Sequence, residues 1–130
     1  MPIVRVPVAG SDIIASASVF KRKTVTLAGG PNSSITSLND LGIQVNNLPN
    51  AFIYVFQTAG IDGSVFTPYF AVDNTTNALP NWLPLTGPQA IFSFVPLFSN
   101  FRVVATMLSI EIENQSAQAA TYEVIVAASQ

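Results

Sequence analysis

"FRVVATMLSIEIEN", Phe101 to Asn114, is the stretch whose reading decides the fold of this chain. Its second half alternates strictly: Leu108, Ile110 and Ile112 fall on one side, and Ser109, Glu111 and Glu113 on the other. Successive side chains of a β-strand point to opposite faces, so this is a strand with one face in a core and one in solvent. The same period runs back to Arg102 with less contrast between the faces. After the turn segment "NQSAQAA" comes "TYEVIVAAS", in which Tyr122, Val124 and Val126 oppose Thr121, Glu123 and Ile125. These two strands are expected to form a terminal hairpin or to pair with neighbours in facing sheets.

Working outward, strands are expected at Ile3–Val8, Ile13–Phe20, Lys23–Ala28, Gly42–Val45, Phe52–Gln57, Val65–Val72 and Ile91–Val95. "FIYVFQ" has the aromatic and β-branched content of a strand. Turn chemistry separates the runs: "AGGPNSS", "NNLPN", "AGIDGS", "DNTTN" and "TGP". Eight or nine short strands at spacings of about ten residues are the signature of a β-sandwich or barrel. No segment sustains a 3.6-residue apolar period. "SSITSLNDLGI" can supply one helical turn, capped by Ser37 or Asn39.

A chain of 130 residues is expected to form one domain over residues 1–130. By surface scaling it buries about two thirds of its unfolded surface, enough for a core without disulfides or metal. There is no Cys and no His. The commonest metal ligand and general base are therefore missing, and zinc or copper sites are not expected. Charged residues are 9% of the chain, against about 25% in ordinary soluble domains. Ser, Thr, Asn and Gln, 38 in all, replace them, and the net charge is −2. Two readings fit: a neutral secreted or β-rich domain, or a subunit whose surface is largely covered by neighbours, since interface cores are depleted in charge. Met1–Phe20 does not read as a signal peptide, because Pro2 and Pro7 interrupt it and Arg5 is its only early positive charge. No run of 18 apolar residues exists, so no membrane span is expected. The sequons at Asn32, Asn74 and Asn114 read as chance in a chain this rich in Asn, Ser and Thr.

No constellation for catalysis stands out. Glu111 and Glu113, two apart on a strand, share a face; a glycosidase-like or metal pair is one reading, and a solvated strand face the favoured one. "DNTTN" and "GIDGS" place Asp73 and Asp62 in turns rather than in a carboxylate-rich calcium loop, with "GIDGS" read as a hairpin turn. The serines have no histidine partner, and no G-x-S-x-G elbow or phosphate loop occurs. Lys21, Arg22 and Lys23 form the one basic cluster, read as a solvated edge or turn that can guard a sheet edge. Nucleic acid is not an expected partner, nor is a small-molecule substrate, and no catalytic residue, metal ligand or cofactor is assigned. Phe92 and Phe94 are placed on one face of a strand, with Ser93 on the other. Most of the aromatics are expected in the core. Trp82, in a loop-like segment, is either a lid on the core or an anchor at a partner or sugar site. Trp82, Leu83, Phe98 and Phe101 are the candidate partner-interface residues.

The order "VDNTTN", "LTGPQA", "FVPLF", "FRVVA" resembles a pattern in virus structural proteins, and most of all the small vertex (penton) protein of tectivirus-like tailless phages. The matching positions are Val72, Asp73, Asn74, Thr86, Gly87, Gln89, Pro96 and Leu97, within Tyr69–Ala105. The chain departs from that pattern by placing Pro88 between Gly87 and Gln89, and by the proline-flanked segment around Trp82. The resemblance implies a single jelly roll, homopentameric assembly and no catalysis. The expectation is thus an all-β, single jelly-roll-like sandwich of two antiparallel sheets. It would be a capsid or vertex subunit in the virion, bound to copies of itself (a pentamer, or else a trimer) and to a major capsid protein. The alternative is a carbohydrate- or receptor-binding β-sandwich of a spike or fibre.

Overall fold

β-Branched and aromatic residues at alternate positions give this chain strands, and short Gly, Asn and Pro segments end them. A computed structural model describes residues 17–72 and 81–130. Within them lie ten strands: β1 Val19–Leu27, β2 Ser34–Ile35, β3 Ile43–Gln44, β4 Asn50–Ala59, β5 Ser64–Ala71, β6 Leu83–Pro84, β7 Gln89–Ile91, β8 Leu97–Arg102, β9 Met107–Asn114 and β10 Ala120–Ser129. One helical turn, Leu38–Leu41, separates β2 from β3. Ser37 stands at its N-cap position as expected, although its side chain makes no capping bond.

All pairings are antiparallel, in two sheets. The first has the order β1-β10-β4-β8. In the second, β9 and β5 are central; β2 and β3 pair with β9, while β6 and β7 pair with β5. Each flank of the second sheet is thus one strand broken in two, by the helical turn on one side and by the loop after Pro84 on the other. Counting each broken strand once gives eight positions in two four-stranded sheets, with first and last strands adjacent. That is the jelly-roll order.

The inner faces carry the core. Ile53, Val55, Tyr122, Val124 and Val126 of the first sheet meet Phe66, Leu108, Ile110 and Ile112 of the second, all essentially without exposure. Full burial of one such side chain contributes about 1.5–3 kcal/mol. The register read for β9 is therefore correct on its apolar side. Ser109 differs from expectation: it points away from the core but is fully buried, because the helical turn covers it and its Oγ donates to Leu38 O at 2.6 Å. Ile125 likewise lies on the face opposite Tyr122, yet it is buried with Tyr54 and Ala127 in a small second cluster that Phe52 and Phe56 flank. β10 is apolar on both faces there, which is why "VIVAA" does not alternate.

Of the two arrangements expected for β9 and β10, pairing with neighbours in facing sheets is the one observed, and they form no hairpin. Other expectations need correction. Phe101–Arg102 belong to β8 of the first sheet, so the opening stretch spans two strands of different sheets. β1 runs without a break through Lys21–Lys23, where two strands were expected to meet. Ile91–Val95 is not one strand: β7 ends at Ile91 and a turn follows. "GIDGS" joins β4 to β5 across the two sheets rather than within a hairpin. The strand at Ile3–Val8, the first part of Ile13–Phe20 and the "DNTTN" turn lie outside the described residues.

Candidate functional site

At one end of the sandwich, two connections are tied together. Gln57, at the inner face of β4, is fully buried and its Nε2 donates to Ile61 O at 2.9 Å and Ser93 Oγ at 3.2 Å. Asp62 Oδ1 accepts from the Ser93 backbone N–H at 2.7 Å, and Ser93 Oγ donates to Gly60 O at 3.2 Å. Phe94 N–H donates to Gln57 O at 2.9 Å, and Val95 N–H to Phe92 O at 3.2 Å. Phe92–Val95 is a β-turn with φ +63° at Phe94. Positive φ at the third position alone marks a type II turn, where glycine is usual. An L-residue in that conformation costs about 1–2 kcal/mol.

This bonded knot pushes its apolar side chains outward. Ile61, Phe92, Phe94 and Val95 are 44% to 65% exposed. Phe92 and Phe94 were expected in a strand, and largely in the core; the turn instead presents both to solvent. Nothing in the local sequence marks that turn, because "FSFVP" keeps a strand-like alternation and contains no Gly or Asn.

The four residues singled out from the sequence do not form one site. Trp82 is half-buried: its Nε1 donates to Asn39 Oδ1 at 3.3 Å, and its ring edge lies 3.3 Å from where a Cβ on Gly42 would stand. It ties the segment before β6 to the helical turn before β3. Leu83, on β6, is exposed. Phe98 and Phe101 sit on opposite faces of β8: Phe101 packs on the core, and Phe98 is exposed on the outside, stacked on Phe52 with centroids 6.0 Å apart. The basic cluster is divided as well. Lys21 and Lys23 alternate with Arg22 along β1, Arg22 pairs with Glu123 at 2.6 Å, and Lys21 Nζ donates to Asp40 O at 3.0 Å. β1 is an edge strand among the described residues, as its charges suggested.

A second feature lies on the outer face of the second sheet. Val65, Thr67 and Tyr69 of β5 and Glu111 and Glu113 of β9 floor a cleft of about 360 Å³, and Pro84, Thr86, Gly87 and Pro88 form its lip. Thr67 stands opposite Glu111 and Val65 opposite Glu113. Burial raises the Glu111 carboxyl above its ordinary range, and the neighbouring Glu113 charge adds to this. Burial, then the Glu111 charge, raises the Tyr69 phenol too. Gln115 Nε2 donates to Glu113 Oε1 at 2.7 Å. Among the described residues no three potential metal-ligating side chains come together, and no helix is long and apolar enough to cross a membrane. The sequon at Asn114 is closed in this fold. Its fully buried amide donates to Leu27 O, Ala28 O and Gln118 O and accepts from Ser116.

No family model matches the sequence, and no curated protein does. Among solved structures the chain is similar to PirA, with 9% identity and a TM-score of 0.57 over 81% of this chain and 92% of that one. It is also similar to the Yersinia pseudotuberculosis-derived mitogen, with 11% identity and a TM-score of 0.49 over 85% of this chain and 86% of that one. A third is a chain of infectious bursal disease virus, Gt strain, with 11% identity, a TM-score of 0.45 and coverage of 98% of this chain but 38% of the viral one. At such identity the likeness to PirA speaks for the fold alone: an antiparallel β-sandwich.

Proposed function

We propose that this chain is a structural subunit of a virus particle, a capsid or vertex subunit of a tailless-phage-like virion, which acts by assembly and not by catalysis. Its partners are copies of itself and a shell protein. The observation that carries this reading is the apolar end of the sandwich. Gln57, Asp62 and Ser93 spend buried and backbone hydrogen bonds on holding a turn that leaves Phe92 and Phe94 in water. Strained residues and exposed aromatics held on a rigid frame are costs to a monomer and anchors at an interface. The jelly-roll order and the low charge support the same reading. The pattern of Thr86, Gly87, Gln89, Pro96 and Leu97 adds the likeness to the vertex proteins, which rests on sequence alone. Electron microscopy of the purified chain tests it: rings or capsomer-like bodies are expected, and a featureless field of single small particles contradicts it.

A further inference from the structure

The outer cleft of the second sheet shares no residue with that apolar end. We propose that it binds a neutral saccharide unit, giving the subunit glycan recognition beside its structural role. Its volume of about 360 Å³ is within the range of small-ligand sites, about 300–1,000 Å³. Its lining is also of that kind: apolar and aromatic walls from Val65, Tyr69, Pro84 and Pro88, with a few polar groups. The Tyr69 ring suits the C–H face of a pyranose, while the Thr67 hydroxyl and the Glu111 carboxylate suit its hydroxyls. The lip is held in place before any ligand arrives. Thr86 Oγ1 donates to Gly87 O at 3.0 Å and accepts from Gln89 Nε2 at 3.1 Å, and Leu85 N–H donates to Pro68 O at 2.8 Å. Such preorganisation lowers the entropic cost of binding.

The chemistry narrows the ligand. Two carboxylates repel phosphates, nucleic acids and acidic sugars. A calcium ion asks for six to eight oxygens, and one carboxylate oxygen is already engaged by Gln115. A ligand of neutral hydroxyls can accept the carboxylates as hydrogen-bond partners without bringing a charge of its own.

Gly87 allows a test that spares the fold. A Cβ there meets nothing within 4 Å, and its φ is outside the left-handed region, so Gly87→Leu fills open space at the lip. Saturation-transfer NMR on the full chain with glucose, galactose, N-acetylglucosamine and lactose should detect binding with Kd on the order of 1 mM. Gly87→Leu and Tyr69→Ala should each weaken it by about tenfold or more. Melting of Gly87→Leu should stay unchanged, as should the oligomeric state, which separates this proposal from the assembly reading. Three outcomes overturn it: no transfer from any of these sugars, equal transfer in Gly87→Leu, or a cleft that binds only a lysine-rich peptide and releases it in salt.

Discussion

Ile110 has no exposed surface and stands opposite Pro68, while its neighbour Glu111 stands opposite Thr67 on the outer face. Ile110→Lys is expected to abolish soluble folded protein, since an unpaired buried charge costs several kcal/mol. Glu111→Lys should change stability by under about 0.5 kcal/mol in a urea melt. A damaging Glu111→Lys with a tolerated Ile110→Lys would mean a register wrong by one residue. Glu111 also carries a pH signature. Burial first, and Glu113 second, raise its folded carboxyl above the unfolded value. The protonated form is therefore favoured by folding: that stability is fully present below the ordinary carboxylate range and is lost as pH rises through the raised value. Glu111→Gln should remove this slope, so the variant gains on the parent as pH rises through and above the ordinary carboxylate range. Equal melting temperatures for the two at every pH would contradict it. The β9 register could be read from sequence because apolar and polar residues alternate strictly from Leu108 to Glu113. The burial of Ser109 could not, because its cover, Leu38, lies 71 positions earlier.

Most elements follow from local chemistry, and the misplacements have physical reasons. β1 passes through three charges because an edge strand lets Lys stems lie beside apolar neighbours while their heads stay wet. The turn at Phe92–Val95 is imposed from outside its own sequence, by Gln57 of β4 and Asp62 of the β4–β5 connection. The apolar end therefore has no linear signature, and the outer cleft, built from three separated segments, has none either. What the sequence did carry of the cleft was the shared face of Glu111 and Glu113. The connection after β1 has its own constraint: a Cβ on Gly29 would lie 2.2 Å from the Gln118 carbonyl carbon. Gly29→Ala must displace backbone and is expected to cost about 1–3 kcal/mol, while Gly87→Ala, in open space, stays near zero. Matched denaturation curves would show this, and equal costs would mean that the β1 and β9–β10 connections do not touch as described.

For the whole molecule, strand spacing and period together pointed to a sandwich or barrel, the likeness to vertex proteins implied the jelly roll, and the strand order itself is seen only in the pairing of the two sheets. Assembly is the remaining step. With net charge −2 and few charges overall, little repulsion separates copies, and Phe92, Phe94 and Phe98 leave apolar surface to be covered. Closed cyclic symmetry would cover it without open-ended growth. Sedimentation equilibrium on the full chain at micromolar concentration, beside Phe94→Asp, puts this to the test. A closed homo-oligomer is expected, a pentamer foremost, with Phe94→Asp folded but shifted toward monomer by about tenfold or more in dissociation constant. A parent chain that stays monomeric over a hundredfold concentration range, or a Phe94→Asp variant that assembles as the parent does, would contradict it.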